Sequence, residues 1–397
     1  MIVLKYGGSS VSTPEKIRKV ADILKHKSKD GDKLVVVVSA MGKTTDNLIA
    51  IAKEVAASPD PRELDMLLVT GEQVAAALLA MALLDKGVKA ISRNALQLQV
   101  VSTEFHGDAR IKDLNADRLL SDLENHDIVV VTGFQGVAGD GEMTTLGRGS
   151  SDTLAVAVAA KLGVGCEIYS DVAGIYASDP NKVGGVRKFD YIQYDEMLEL
   201  AARGAKILHS RAVEVAKRYD VKLYCGSTFS DERGTYVVAQ LPEWVEQPEV
   251  TGLAVDINHT KFALSGLPRD EDILSVLFES LAGKANIDMI AGSGDHVTFT
   301  VKEAEKERVA SAITERLQSY DGWNMEINGG VAKISAVGVG MNGATGVAGR
   351  FFSALRREKV TVLGVSTSEI NISALVAADQ ADKALMSLAG EFCLIEK

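Results

Sequence analysis

The chain has little of what would staple it, metallate it or anchor it. Only 3 cysteines, Cys166, Cys225 and Cys393, are spread over 397 residues. They are too few and too far apart for a disulfide framework or a thiolate metal cluster, so a reducing cytosol is the expected setting. The 6 histidines offer no pair at ligand spacing and no Ser/His/Asp arrangement. Positive charge is outnumbered: 43 Lys and Arg stand against 54 Asp and Glu, a formal net charge of −11. That balance argues against nucleic acid or an anionic membrane surface as the main partner. Long apolar runs are missing too. The most apolar window, Leu64–Leu84, carries Asp65, Glu72 and Gln73, so no membrane span is expected. The first residues, Ile2–Leu4, read as a strand and not as a signal peptide. What remains is an ordinary globular balance, 46% apolar and 24% charged, long enough for two or three domains with sizeable cores.

One stretch organises the rest, residues 127–163. It opens with a β-branched apolar run, Ile128–Val131, suited to a buried strand of a parallel sheet. Gly133, Gly136, Gly139 and Gly141 follow, and then Leu146-Gly147-Arg148-Gly149-Ser150-Ser151-Asp152-Thr153 feeds an alanine-rich helix, Leu154–Leu162. Strand, glycine loop and helix start together can grip an anion, because glycines admit close approach and the helix end offers free N–H groups. A merely capped helix is the alternative, since Ser151, Asp152 and Thr153 are good N-cap residues. Capping does not explain Arg148, a bidentate clamp for carboxylate or phosphate set in the same turn.

The same grammar recurs along the chain. Ile2–Leu4 runs into Lys5-Tyr6-Gly7-Gly8-Ser9-Ser10, where backbone N–H groups and the Lys5 cation can face phosphates; a tight turn beside a solvated lysine is the plainer alternative. Ser12 or Thr13 can cap the next helix, with Pro14 in its first turn and Ile17, Val20, Ala21 and Leu24 on one face. Leu34–Val38 is a third buried strand, ending in Ser39-Ala40-Met41-Gly42-Lys43-Thr44-Thr45. Strand ends of this kind line the ligand edge of open α/β sheets. Helices are expected over 46–57 and 61–86, the latter interrupted by Thr70-Gly71-Glu72-Gln73. Glu72 is either a solvated cap or a ligand for a substrate ammonium. Val88–Ile91 and Leu98–Val101 read as short strands and Ile111–Glu124 as helix. Beyond the organising stretch, a strand from Glu167 enters a polar loop in which Tyr176 could stack on a base and Asp171 could bind ribose or a metal. A helix over Tyr194–Arg203 precedes Gly204-Ala205-Lys206-Ile207-Leu208-His209, where Lys206 is a second candidate phosphate cation. Lys222–Cys225 reads as the last strand of this alternation.

Composition changes near residue 230. Residues 230–249 read as loop and linker. Beyond lies a pattern repeated roughly 75 residues on, with a helix over Leu274–Leu281 and strand over Asn286–Ile290, then a helix over Val347–Arg357 and strand over Val360–Val365. Two β-α-β-β-α-β units of ferredoxin-like type fit these lengths; such sheets pair side by side, binding small ligands at the seam or serving only to dimerise.

Taken in order, Lys5-Tyr6-Gly7-Gly8-Ser9-Ser10-Val11, Val38-Ser39-Ala40-Met41-Gly42-Lys43-Thr44-Thr45, Gly71-Glu72, Gly133-Phe134, Thr145-Leu146-Gly147-Arg148-Gly149-Ser150-Ser151-Asp152, Asp171-Val172-Ala173-Gly174-Ile175-Tyr176 and Gly204–His209 resemble the motifs of the aspartate kinases, of the amino-acid kinase superfamily. Ser366-Thr367-Ser368-Glu369-Ile370 resembles the paired ACT domains of that family. The resemblance covers essentially the whole chain. It implies an α/β fold: a mainly parallel central sheet sandwiched by helices, plus two ferredoxin-like βαββαβ ACT domains. The corresponding division is 1–229 for catalysis, 230–249 as linker, and 250–330 and 331–397 as ACT domains. Two departures stand out. Ser150 occupies a position where the family usually has glycine, so a positive φ there would be strained, and Ser210 follows His209 where proline is common.

The resemblance further implies ATP-dependent phosphorylation of the L-aspartate β-carboxylate to 4-phospho-L-aspartate, for lysine, threonine and methionine synthesis. Lys5, with the backbone of Gly7, Gly8 and Ser9, would hold the transferring phosphates. Arg148 would clamp the α-carboxylate, with Thr45, Glu72, Phe134 and Ser151 around the substrate. Asp152 would orient the amino group or the lysines. Ser170, Asp171, Tyr176, Asp179 and Lys206 would line the nucleotide side, with Mg²⁺ held by ATP phosphates and not by a protein metal site. An end-product amino acid, lysine before threonine, would bind near Asp272, Leu274, Ser275, Asn286, Ile287 and Asp288, and the ACT domains would self-associate. The residues suit this chemistry independently. A carboxylate of pKa about 3.9 is already an anionic nucleophile at pH 7, so no general base is required, and the task is to neutralise and align two anions. The alternatives are another amino-acid kinase, such as a glutamate kinase, or a catalytically impaired amino-acid-binding regulatory subunit.

Overall fold

The computed structural model describes residues 1–205, 208–242, 248–268 and 272–396. The chain forms two compact units. The first holds residues 1–175, 188–198 and 206–245, and the second holds 176–187, 199–205 and 246–397.

The strands of the first unit are β1 (Ile2–Tyr6), β2 (Leu34–Val38), β3 (Ala90–Arg93), β4 (Val101–Ser102), β5 (Ile111–Asp113), β6 (Ile128–Thr132), β7 (Gln135–Val137), β8 (Met143–Thr145), β9 (Cys166–Ser170), β10 (Tyr191–Gln193), β11 (Leu223–Ser227) and β12 (Thr235–Val238). Its helices are α1 (Pro14–Lys27), α2 (Thr44–Val55), α3 (Pro61–Leu68), α4 (Thr70–Asp85), α5 (Ala116–Asn125), α6 (Ser150–Leu162) and α8 (Ser210–Tyr219), while α7 (Tyr194–Ala202) has its last turn in the second unit. Eight strands make the main sheet in the order β10-β12-β11-β9-β1-β2-β6-β3, parallel throughout except for β11 against β12. β2 and β6 are buried along their whole length, which is what lets LVVVV and IVVVT dispense with alternation. Each fully buried Val, Leu or Ile there contributes on the order of 1.5–3 kcal/mol. Thr13 caps α1, accepting from Lys16 N at 3.2 Å, and Ile17, Val20, Ala21 and Leu24 pack inward. β5-β4-β7-β8 form a smaller sheet beside the loop that precedes α6.

Several expectations are corrected. Ile111–Asp113 is a strand paired with β4, and the helix begins only after the Asn115 cap. The strand expected over Leu98–Val101 starts at Val101, because Leu98 N and Val100 N bond back to Asn94 O and Ala95 O in a turn. Thr235–Val238, read as linker, is a strand between β10 and β11. Pro61–Asp85 is, by length and composition alone, long and apolar enough to cross a membrane, against the expectation that no stretch is. Here it is two helices meeting at Val69, with Leu68, Ala75, Ala76, Leu79, Ala80 and Leu83 buried.

The second unit is one antiparallel six-stranded sheet. Its strands are β13 (Gly252–Ser265), β14 (Asp288–Ser293), β15 (His296–Lys302), β16 (Asn324–Val337), β17 (Gly364–Thr367) and β18 (Asn371–Ala377), in the order β14-β15-β13-β16-β18-β17. Four helices cover it: α9 (Ile273–Leu281), α10 (Lys306–Leu317), α11 (Val347–Arg357) and α12 (Ala381–Glu391). The two ferredoxin-like repeats are nested. His259–Ser265 pairs with β15 and with the first half of β16, whereas Gly252–Asp256 pairs with Lys333–Val337, and a bulge between Asp256 and His259 separates the halves. The expected boundary at residue 330 thus falls inside β16, and the second repeat takes a strand from before the first. Val360–Leu363 is loop, not strand, because Lys359 turns with φ 56° and pairing with β18 starts at Gly364.

Candidate active site

At the end of β1 the chain must turn within the width of its neighbours. Gly7 N donates to Tyr169 O at 3.0 Å and Gly8 O accepts from Gly42 N at 3.0 Å. A Cβ on Gly8 would lie 2.7 Å from Ala40 O, so only glycine fits. The Ser9 carbonyl accepts from Ser12 Oγ at 3.1 Å and Lys16 Nζ at 2.8 Å, and Ser10 Oγ shares a 2.6 Å bond with Thr228 Oγ1. These bonds fix the turn from behind. Lys5, one residue before the end of β1, is nearly buried, and its Nζ lies 2.6 Å from Asp152 Oδ1 in the first turn of α6. Gly7 is close by: a Cβ there would stand 3.6 Å from Lys5 Nζ. The first glycine loop and the organising stretch therefore meet at one ion pair.

The entry to α6 takes its two sharp bends at glycines, with φ 86° at Gly147 and 77° at Gly149. Ser150 is the first helical residue, buried, with its Oγ donating to Leu146 O at 2.5 Å. The strain foreseen at Ser150 is therefore absent, because the left-handed residue is its neighbour Gly149. Arg148, between the glycines, is 77% exposed and makes a single 3.0 Å contact from Nη2 to Asp46 Oδ1, on the first turn of α2. Thr45, half-buried, is the residue before Asp46. Ser151 packs on Gly133, where a Cβ would meet Ser151 Oγ at 2.5 Å, and Phe134 follows with φ 65° and its ring buried.

Glu72 is no solvated cap. It is 3% exposed, and its Oε1 accepts Ala40 N at 3.1 Å, tying α4 to the loop after β2. Oε2 is buried with no hydrogen-bond partner. Burial pushes the carboxyl up to about 7, against the pull of the Ala40 N–H. A buried, half-satisfied carboxylate beside a strand-end loop is suited to receive an ammonium.

The nucleotide-side residues divide. Ser170 closes β9, its carbonyl accepting Thr228 N at 2.8 Å and its Oγ accepting Val172 N at 3.1 Å, and Asp171 follows, exposed. Tyr176 and Asp179 belong to the second unit, Asp179 accepting from Asn181 N at 2.9 Å. Lys206 lies outside the described residues. Of the effector candidates, Asp272 caps α9 by accepting Ser275 N at 3.4 Å and also accepts Ser275 Oγ at 2.8 Å, Leu274 and Asn286 are exposed, and Ile287 is half-buried. Asp288 is already engaged: it pairs with the buried Lys333 and lies 3.8 Å from Arg203 Nη1. Burial pushes the Asp288 carboxyl up, but Lys333 outweighs it and holds the group below its ordinary value.

Two residues near the site carried no sequence argument. Asp65, 1% exposed on α3, accepts Thr145 Oγ1 at 2.5 Å, His106 Nδ1 at 2.8 Å, Thr145 N at 3.0 Å and Gly107 N at 3.1 Å. Its one signal was a carboxylate set among Leu64, Met66, Leu67 and Leu68. Arg211 on α8 donates to Leu146 O at 2.6 Å and Ala109 O at 2.8 Å, with no local signal at all.

Residues 1–227 match the amino acid kinase family and residues 334–392 match an ACT domain. An aspartokinase of Bacillus sp. (strain MGA3) is 43% identical over 398 residues, spanning 98% of this chain and 96% of its own. E. coli aspartokinase III in complex with aspartate and ADP shares the fold with a TM-score of 0.87 at 24% identity, over 99% of this chain and 100% of that one. The same enzyme in complex with lysine and aspartate gives 0.76 at 24% identity, over 99% of each chain. At that identity both comparisons speak to the fold alone.

Proposed function

The chain belongs to the aspartokinases of the amino acid kinase family, and from that membership we propose how its residues move phosphate from ATP to aspartate. An oxygen of the aspartate β-carboxylate attacks the γ-phosphorus, the bond from that phosphorus to the bridging oxygen of ADP breaks, and 4-phospho-L-aspartate and ADP result. Lys5, with the N–H groups of Gly8 and Ser9, steadies the transferring phosphoryl group, and Asp152 orients the Lys5 ammonium. The Gly7 N–H, expected to join them, is committed to Tyr169 O, so Gly7 serves by its lack of a side chain. Arg148 clamps the α-carboxylate. Glu72 takes the α-ammonium on its free oxygen, and Thr45, Phe134 and Ser151 complete the acceptor pocket. Ser170, Asp171, Tyr176, Asp179 and Lys206 serve the nucleotide. The observation that carries the reading is the Lys5–Asp152 pair, 2.6 Å, which brings the phosphate loop to the turn that bears Arg148.

Mg²⁺ fits as a companion of the ATP phosphates. Among the described residues no group of three or more His, Cys, Asp or Glu converges, and Asp152 is held by Lys5, so the residues present make no all-protein magnesium cage. When bound, the ion spreads the phosphate charge; the chain's own share is Lys5 and the aimed N–H groups.

Residues 1–229 form the catalytic domain in this reading, and the ACT unit takes an end-product amino acid, lysine first, near Asp272, Leu274, Ser275, Asn286 and Ile287. The support is the E. coli relative bound to lysine and aspartate. The ACT domains also self-associate, and the three free cysteines, two of them buried, suit a reducing cytosol. The reaction would open lysine, threonine and methionine synthesis.

Hydroxylamine trapping of the acyl phosphate tests the whole reading. Hydroxamate is expected with aspartate and not with glutamate, and is suppressed by lysine more than by threonine. Equal product from glutamate would discard the acceptor assignment, and indifference to both amino acids would discard the regulatory one.

A further inference from the structure

Arg148 is loosely anchored by its side chain, yet the chain that leads into it is tightly held. The guanidinium is 77% exposed and, among the described charged residues, touches only Asp46. A side chain with that much rotamer freedom can reach only what the position of its backbone allows. That backbone sits between two bends at Gly147 and Gly149, and two charged groups grip the chain just before it. Asp65 takes Thr145 N and Oγ1. Arg211, in the first turn of α8, donates from Nη1 to Leu146 O at 2.6 Å and from Nη2 to Ala109 O at 2.8 Å, with Asp108 Oδ1 3.0 Å from Nη1.

The Leu146 carbonyl is thus doubly bonded from the side-chain level, by Arg211 and by Ser150 Oγ. Ala109 N in turn donates to Thr145 O at 2.9 Å, so Arg211 bridges both chains of the loop that delivers Arg148. The guanidinium's rigid fork sends Nη1 to Leu146 O and Nη2 to Ala109 O in one fixed geometry, whereas a lysine ammonium has three donors but no fork to hold the two carbonyls at that spacing. Arg211 is 14% exposed in its side chain; burial pulls its pKa down and Asp108 pushes it back up.

We propose that Arg211 is a positioning residue for the acceptor site, setting the turn from which Arg148 reaches the substrate carboxylate. The inference rests on Arg148 being the α-carboxylate clamp. It deepens that reading by naming what gives an exposed arginine its fixed aim.

The test is steady-state kinetics on the full chain, with separate KM values for aspartate and MgATP, for Arg148→Ala, Arg211→Lys, Arg211→Gln and the double variant R148A/R211K, alongside thermal melts. Arg211→Lys should raise the aspartate KM about ten- to a hundred-fold, as a displacement near 1 Å does, while the MgATP KM and kcat stay within about two-fold. The double variant should be no worse than Arg148→Ala alone, because one residue acts through the other. Multiplying effects, or an Arg211→Lys enzyme with an unchanged aspartate KM while Arg148→Ala raises it, overturn the positioning role. An unchanged KM in Arg148→Ala instead sinks the clamp itself. If Arg211→Gln fails to fold, Arg211→Lys decides.

Discussion

Lys5 Nζ and Asp152 Oδ1 stand 2.6 Å apart, with both side chains about a tenth exposed. The pair joins the strand that enters one glycine loop to the helix that leaves the other, so it is at once structural and electrostatic. Lys5→Ala removes the buried cation beside the phosphate loop and leaves Asp152 buried without its partner. We expect kcat to fall by about 10²–10³ with the aspartate KM changed only a few-fold. Stability should drop by about 3–5 kcal/mol, as for a broken buried pair. Lys5→Met combined with Asp152→Leu should recover most of the melting temperature and none of the kcat. Recovery of both would show the pair to be structural only.

Arg148 and Asp46 make a second prediction. Their contact is single and solvent-exposed, the kind worth at most about 1 kcal/mol. In the proposed clamp, a substrate carboxylate bound bidentately would compete with Asp46 for Nη2. Arg148→Ala is therefore expected to raise the aspartate KM by about a hundred-fold, leaving the MgATP KM in place. Asp46→Asn should lower the aspartate KM by no more than about five-fold, the ceiling set by an exposed pair. An Asp46→Asn enzyme with a raised KM would mean that Asp46 binds substrate and does not compete with it.

Much of this arrangement was legible in the sequence because it is local. Lys5 with Gly7 to Ser9, and Gly147 to Asp152, mark themselves by strand, glycine and helix start, and the β-branched runs of β2 and β6 announce a sheet buried on both faces. The failures are long-range. Ile111–Asp113 and Thr235–Val238 are strands only because β4, and β10 with β11, are there to pair with them. The nested ACT repeats depend on Gly252–Asp256 meeting Lys333–Val337 across some eighty residues, which no local periodicity encodes. Arg211 finds Leu146 from 65 positions away, and Ser150 looked strained only because the positive φ belongs to its neighbour.

Glu72 gives a pH prediction. Its folded pKa is about 7 against an ordinary 4.5, so burial favours the protonated form. The stability this contributes is full below pH 4.5 and is lost as pH rises toward 7. Glu72→Gln should therefore match the native protein near pH 4.5 and melt several degrees higher at pH 8. For catalysis the sign reverses. An ammonium needs the carboxylate, so the aspartate KM should climb about ten-fold per pH unit below 7 and flatten in Glu72→Gln, at a high value. A native KM independent of pH between 5.5 and 8 would remove Glu72 from the ammonium site.

Asp288 separates effector binding from architecture. Lys333 is 2% exposed, and Asp288, with Arg203 on its other side, supplies its counter-charge. A carboxylate so occupied is poorly placed to greet an incoming ammonium, whereas Asp272, at the exposed start of α9, only caps a helix. Asp288→Asn should therefore lower the melting temperature, since a buried lysine left unpaired costs about 3–5 kcal/mol. Adding Lys333→Met should restore most of the loss, because an apolar side chain of similar size needs no partner. Lysine inhibition should survive in that repaired double variant and weaken in Asp272→Asn, which removes the charge and keeps the cap, since asparagine is an equally good N-cap residue. The measurement is the lysine concentration for half-inhibition in each. Inhibition abolished in the repaired double variant but intact in Asp272→Asn would return Asp288 to the effector site, with its pairing to Lys333 as the contact that the effector breaks.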